Sequence, residues 1–184
     1  MSEGIVLIKK ALRKKIKLLK SEMGESDKKT RAEAVMKKLE CSSEFKNAKI
    51  IFIFWSMDDE IDTKDFILKW AERKKFILPA INGDELHLKE FTGVHKLKNG
   101  DLYSIPEPDG TPFHDLGSID LAIVPGIAFD RHNNRMGRGK AYYDKILSKL
   151  KGTSHLIGIC YDFQMVEKVP VEPHDTKMDG VIYG

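Results

Sequence analysis

Between Pro125 and Asp144 the chain carries four cationic side chains, Arg131, Arg135, Arg138 and Lys140. They are interleaved with Gly137 and Gly139 and followed by Tyr142 and Tyr143. The apolar run Leu121-Ala122-Ile123-Val124 precedes them and reads as a buried strand, and a helix pattern follows. Backbone N–H groups in a strand-to-helix loop converge on anions, and the start of a helix adds a field of the same sign. Gly137 and Gly139 lack the Cβ that would keep the main chain away from a phosphate. The chemistry indicated is phosphate binding, most naturally of a nucleotide. A basic surface loop with glycine caps is the competing reading; it explains the glycines but not so many arginines beside two tyrosines.

The loop is not one of the standard phosphate motifs. A P-loop needs Gly five residues before its Gly-Lys pair and Ser or Thr after it. Here those positions hold Asn134 and Ala141. The dinucleotide fingerprint fails too, because Tyr142 stands three residues beyond Gly139 where a small residue is required.

The elements that must position this loop alternate. Residues 4 to 22 form an amphipathic helix with Ile5, Ile8, Leu12, Ile16 and Leu19 on the apolar face, and seven cations on the other, Lys20 among them, expected to be solvated. Ser26 can cap a second helix to Glu40. Residues 49–55 are a continuous apolar run, as in parallel sheets covered on both faces. Asp62 caps a helix to about Lys74, and 75–78 is a strand, a spacing typical of right-handed crossovers. Residues 82–118 are irregular, with one strand near 86–91 and several glycine and proline turns. Strand 121–124, the glycine loop, a helix from Gly139 to Leu150, strand 156–161 and a short strand 181–183 complete the pattern. The fold expected is α/β: a single three-layer domain over residues 1–184, with a mostly parallel sheet and helices on both faces. Ligands of such sheets sit at the carboxyl ends of the strands, here after Trp55, Leu78 and Val124.

Bulk properties narrow the function. With 184 residues, 41% of them hydrophobic, the chain can bury one full core. A net charge of +3 from 31 basic and 28 acidic residues is too balanced for a general nucleic-acid binder. Cys41 and Cys160 are far apart and suit reduced thiols in a cytosolic protein. Neither has a basic neighbour that would activate it, and the six histidines show no zinc spacing. The apolar stretch Ile5–Ile8 is too short for a signal peptide or membrane span. A cytoplasmic, monomeric protein with no nucleic-acid or membrane partner is therefore expected.

Four segments together resemble the 5-formyltetrahydrofolate cyclo-ligase family: Lys9-Lys10-Ala11-Leu12-Arg13, the strand end Trp55-Ser56-Met57-Asp58-Asp59-Glu60, the loop Tyr103-Ser104-Ile105-Pro106-Glu107-Pro108, and Arg135-Met136-Gly137-Arg138-Gly139-Lys140-Ala141-Tyr142-Tyr143-Asp144. They span nearly the whole chain. The resemblance implies cyclisation of 5-formyltetrahydrofolate, with or without a polyglutamate tail, to 5,10-methenyltetrahydrofolate, using ATP and Mg2+ and releasing ADP and phosphate. It implies that Lys9, Arg13 and residues 135–143 contact ATP, that Arg138 and Lys140 are the catalytic cations, and that Asp144 and Asp175 hold magnesium. On the folate side it implies Trp55, Met57, Glu60, Tyr103, Ile105 and Pro106, with Arg138, Lys140 and Tyr142 shared. A carboxylate suits the paired N–H donors of an aminopyrimidinone, which gives Glu60 a task. The competing reading of Asp144 is a first-turn aspartate favoured by the helix dipole; without the resemblance Asp175 reads equally as a plain loop aspartate, and Asp58 and Asp59 read as turn residues. Tyr142 and Tyr143 are expected to divide, one facing substrate and one packing under the loop.

Three positions depart from the family pattern. Tyr103 stands for Trp, Asn133 for a common Gly, and Ala141 for the block's third glycine. A sugar-phosphate isomerase, needing a base and no ATP, and a basic-helix RNA binder are the rival readings. Glu60, Lys9 and Arg13 disfavour the first, and the balanced charge the second.

Overall fold

A computed structural model describes residues 3–83, 85–100, 106–172 and 175–184. In chain order the elements are α1 (Glu3–Glu22), α2 (Glu25–Cys41), α3 (Ser43–Asn47), β1 (Ile50–Phe52), α4 (Lys64–Trp70), β2 (Lys75–Asn82) and β3 (Glu85–Glu90). There follow β4 (Leu97–Asn99), β5 (Pro106–Pro108), β6 (Leu121–Pro125), β7 (Ala128–Asp130), β8 (Arg135–Met136), α5 (Tyr142–Leu150), β9 (His155–Cys160), β10 (Met165–Val166) and β11 (Gly180–Tyr183). The central sheet runs β11-β9-β6-β1-β2-β3, parallel throughout except for β3 at its edge.

Period-two alternation explains the layers. Ile51, Phe76, Leu78, Leu121, Ile123, Ile157 and Ile159 point to one face and pack with Val35, Leu39, Phe45 and Ile67 of α2, α3 and α4. Phe52, Ile77, Ala122, Val124 and Leu156 point to the other, against Ile146, Leu147 and Leu150 of α5. Both faces are covered, so these strands carry no polar face, as the continuous apolar runs require. On the second face Phe129 of β7 lies over Gly126 and Gly158, and a Cβ at either glycine would collide with its ring.

The stretch expected to be one long loop contains the hairpin β7-β8, which β10 extends to a second, three-stranded sheet, β10-β7-β8. Its strands have two or three residues, too short to show alternation in sequence. Asp130, fully buried, organises it: its carboxylate accepts from the backbone N–H groups of His132 (2.9 Å), Asn134 (3.0 Å) and Val169 (2.9 Å), and from Asn134 Nδ2 (2.9 Å). Burial pushes its pKa up, but these hydrogen bonds outweigh burial and the net shift is downward. Ile16 of α1 packs on this small sheet with Ile127, Ala128, Met136 and Val169.

Several boundaries differ from those read in the sequence. The N-cap of α2 is Gly24, not Ser26. Helix α4 starts after Thr63 and ends at Trp70, with Asp62 Oδ1 accepting the Lys64 N–H at 2.9 Å. β1 ends at Phe52, while β2 runs through Pro79 to Asn82, so the segment after Leu78 is strand, not loop. Helix α5 begins at Tyr142 rather than Gly139, because Ala141 takes a left-handed conformation, φ 54°.

Gly158→Ala should destabilise the protein by about 1–3 kcal/mol through overpacking against Phe129. Ala141→Gly should stabilise it by about 1 kcal/mol by relieving the left-handed backbone. Urea midpoints of the two variants against the parent check both.

Candidate active site

The cavity owes its position to a mismatch in strand length. The last paired residues of β1 and β2 are Phe52 and Ile77, with one further bond from Ile53 N–H to Ile77 O at 3.0 Å. The chain then leaves the sheet through Phe54 and Trp55, while β2 continues alone on that side. Pro79 has no N–H to leave unmade there. The Ile81 N–H is met by Glu107 Oε1 at 3.0 Å. Above this step opens a cavity of about 230 Å³ bounded by Trp55, Met57 and Glu60, by Pro79 and Ile81, and by residues 137–144 of the glycine loop and α5. It lies at the carboxyl ends of β1, β2 and β6, as expected of this sheet type.

Three cations reach the cavity, and two are held by carboxylates of the protein itself. Arg135, only 4% exposed, donates from Nη2 to Asp144 Oδ1 at 2.5 Å and from Nη1 to Pro125 O at 3.3 Å. Its Nε has no partner, a loose end in an otherwise committed guanidinium. Arg138 Nη2 donates to Asp59 Oδ1 at 2.6 Å and to Glu60 Oε1 at 3.1 Å. Lys140 lines the same cavity, is exposed, and among the described residues makes no ion pair. The cation expected nearest the reacting phosphate is thus the one with a free ammonium.

Helix α1 supplies a second line of cations behind the loop. Arg13 Nε donates to Gly137 O at 3.1 Å, and its guanidinium lies against Gly139, which adopts φ 109°. Lys9 bridges Glu172 at 2.8 Å and Asp175 at 3.2 Å. Lys20 is 6% exposed, donates to Asp59 O at 2.5 Å and sits 3.6 Å from Asp59 Oδ2. The inward face of α1 carries Leu12, Ile16 and Leu19 as hydropathy selected, and with them Lys9, Arg13 and Lys20, which it did not. Ile8, expected inside, is 57% exposed. Lys20, expected in solvent, is a core residue made tolerable by Asp59.

Titration follows these contacts. Burial pushes Lys20 down more than Asp59 lifts it, and the net shift is downward. For Asp59 burial acts upward, yet Arg138 and Lys20 prevail and its carboxyl sits below the usual range. Burial opposes the charge of Arg138, but Asp59 and Glu60 raise its pKa overall. Lys9 behaves likewise: burial opposes its charge, and Glu172 and Asp175 more than restore it. Burial raises Tyr143, with Glu60 adding to the effect. Burial also pushes the Cys160 thiol up to about 12, consistent with an inert core cysteine.

Most expected residues converge. Trp55, Met57, Glu60, Arg135, Gly137, Arg138, Gly139, Lys140, Ala141, Tyr142, Tyr143 and Asp144 all line the cavity. Trp55 stacks on Phe91 at 5.7 Å. The tyrosines divide as expected in position: Tyr143 stacks on Phe52 at 6.0 Å, whereas Tyr142 reaches across the rim to Gly83 O at 3.2 Å. Met136 is buried against α1 and faces away. Lys9, Arg13 and Asp175 stand outside the cavity wall, behind the loop and beside it. Arg131 is exposed in the turn between β7 and β8. Tyr103 and Ile105 lie outside the described residues, and Pro106 opens β5 next to Glu107.

Sequence reasoning passed over Asp59, Lys20, Glu107, Asp130 and Glu172. Only Glu107 carried a signal, since it sits inside the proline loop already placed over the site. Among the described residues no cluster of three or more His, Cys, Asp or Glu is close enough to hold a metal ion. Magnesium needs only one or two carboxylates. Asp144 and Asp175 fit that requirement chemically: each is an oxygen donor facing a cation, Arg135 and Lys9 respectively. Among the described residues no helix is long and apolar enough to cross a membrane.

Comparison with known proteins bears on what this arrangement serves. The chain is 28% identical to the probable 5-formyltetrahydrofolate cyclo-ligase of Caenorhabditis elegans, over 96% of this chain and 92% of that one. It is 30% identical to the 5-formyltetrahydrofolate cyclo-ligase of Escherichia coli, over 73% and 78%. The NMR structure of Aquifex aeolicus 5,10-methenyltetrahydrofolate synthetase superposes with a TM-score of 0.85 at 29% identity, covering 96% of this chain and 89% of that one. Residues 7–184 match the profile of the 5-formyltetrahydrofolate cyclo-ligase family, and the chain is an enzyme belonging to it.

Proposed function

We propose that the protein closes the imidazoline ring of 5-formyltetrahydrofolate at the expense of ATP, giving 5,10-methenyltetrahydrofolate, ADP and phosphate. The observation that carries this reading is the meeting, in one cavity, of a glycine loop bearing Lys140, with no ion pair among the described residues, and an apolar wall containing Trp55. The first suits a phosphate and the second an aromatic ring.

A formamide oxygen leaves poorly, so direct attack by the neighbouring amine stalls. Transfer of the γ-phosphoryl group to that oxygen turns it into a phosphate ester on an iminium carbon. The N10 lone pair then forms the new C–N bond, the C–O bond breaks with its electrons on phosphate, and the N10 proton is lost. Phosphoryl transfer asks the protein chiefly to position groups and to neutralise charge. Lys140 neutralises the transferring phosphoryl, and Arg138 joins it by exchanging Asp59 and Glu60 for phosphate oxygens. Arg13 holds Gly137 and so sets the loop against which the triphosphate lies. Trp55 and Met57 wall the folate, and Tyr142 closes the rim. Asp144 and Asp175 would hold magnesium, which when bound supplies further neutralisation of phosphate oxygens.

Incubation with 5-formyltetrahydrofolate, ATP and magnesium should produce the methenyl absorbance. Its absence, with a homologous enzyme active in the same buffer, ends the proposal. Lys140→Ala should cut turnover about a hundredfold or more, while its unfolding midpoint stays at the parent value because Lys140 is exposed and unpaired. Asp59→Asn removes one competitor for Arg138 and should lower the KM for ATP a few-fold, leaving the KM for folate in place. An unchanged or raised ATP KM would show that Arg138 does not exchange partners.

A further inference from the structure

Three carboxylates line the cavity: Glu60, Asp144 and Glu107. The first two face cations, Arg138 and Arg135. Glu60 is committed at both oxygens, since Oε2 also accepts the Met57 N–H at 3.0 Å. Glu107 differs. Its Oε1 takes the Ile81 N–H, and among the described residues nothing donates to its Oε2. It stands among Pro79, Ile81 and Leu86, an apolar setting that supplies no donor of its own.

The seat of Glu107 is built by its neighbours. Its side chain lies directly over Gly100, where a Cβ would come within 2.5 Å of Glu107 Cδ. Its anchor, Ile81, belongs to the part of β2 that overhangs the end of β1. In the sheet order, β1 separates β2 from β6, whose end carries Pro125 and Gly126 at the opposite side of the cavity. Two strand spacings make that separation about 10 Å.

The folate ring has two chemically different edges. One bears the N5 formyl group. The other bears the 2-amino group and the N3–H side by side, a donor pair that a carboxylate accepts with both oxygens or with one shared oxygen. The two edges lie on opposite sides of the bicycle. With the formyl oxygen turned toward Lys140 and Arg138, the donor pair points away from the glycine loop, and the carboxylate on that far wall is Glu107.

We infer that Glu107 reads the aminopyrimidinone edge of the folate, the task expected of Glu60, and that Glu60 serves to hold Arg138. This rests on the proposed function for the identity of the substrate.

Glu107→Gln tests the inference cleanly. The Gln oxygen still accepts the Ile81 N–H, so a purely structural role survives, but the other oxygen becomes an NH2 that meets the ligand's donors head on. Calorimetric binding of 5-formyltetrahydrofolate without ATP should weaken about ten- to a hundredfold in this variant, the range for a lost hydrogen bond to a charged group. The KM for ATP and the unfolding midpoint should stay at parent values. Gly100→Ala, which pushes the Glu107 side chain aside without changing charge, should weaken folate binding in the same direction. A 2-desamino analogue should bind the parent protein less well than the natural folate, and the Gln variant should lose that preference. Folate affinity of Glu107→Gln within about twofold of the parent overturns the inference, as does a loss that appears only in Glu60→Gln. A parent protein that binds folate but forms no methenyl product defeats the proposed function alone, because the binding ratio still decides Glu107. A parent that binds no folate defeats both.

Discussion

The organisation of this protein turns on holding cations beside a largely apolar cavity. An unpaired buried charge costs several kcal/mol, and Arg135 and Lys20 are nearly inaccessible to water. The fold answers with carboxylates from distant parts of the chain: Asp144 for Arg135, Asp59 and Glu60 for Arg138, Asp59 again for Lys20, and Glu172 and Asp175 for Lys9. These pairs connect α1, the segment after β1, the glycine loop, α5 and the chain before β11. A site assembled from five places in the sequence is held in register by its own charge balance.

The same balance bears on the proposed chemistry. Under that proposal an incoming triphosphate would bring negative charge to Arg135 and Arg138, which already have partners, so binding would become an exchange with their carboxylates. Asp144, which pairs with Arg135 on the cavity wall, is an oxygen donor of the kind the proposed magnesium would take. Lys140, with no ion pair among the described residues, would stand apart from that exchange, as the role proposed for it requires.

What sequence could reveal divides along physical lines. The parallel sheet was legible because strands buried on both faces must be apolar throughout, and residues 50–52, 121–125 and 156–160 are. The glycine loop was legible because Gly137, Gly139 and the arginines have no simple alternative use together. The charged part of the inward face of α1 was not. Hydropathy selects Ile8 over Lys9, yet a lysine between two carboxylates is at home inside, and those carboxylates lie more than 160 residues away. Nor could spacing show that Asp59 serves two cations, since neither Lys20 nor Arg138 is its sequence neighbour. The β7–β8 hairpin escaped because strands of two or three residues have no period to detect.

The positions that depart from the family pattern show how local backbone demands are met in different ways. Asn133 adopts φ 61° in the hairpin turn, a conformation Asn tolerates. Its side chain then does what glycine could not: Nδ2 donates to Asp179 O at 3.2 Å, beside the bond that the Asn133 backbone carbonyl, like any residue's, accepts from the Met178 N–H at 2.9 Å. Asp179 in turn accepts the Leu156 N–H of β9 at 2.8 Å. The substitution thus ties the small sheet, and with it Arg135, to the central one. Ala141 meets the same backbone demand at φ 54° with no compensating contact. A methyl group there sits on the cavity rim between Lys140 and Tyr142, where it narrows the conformations open to the loop. Strain confined to the residue between the free lysine and the first turn of α5 acts where the loop must hold its shape against an arriving phosphate.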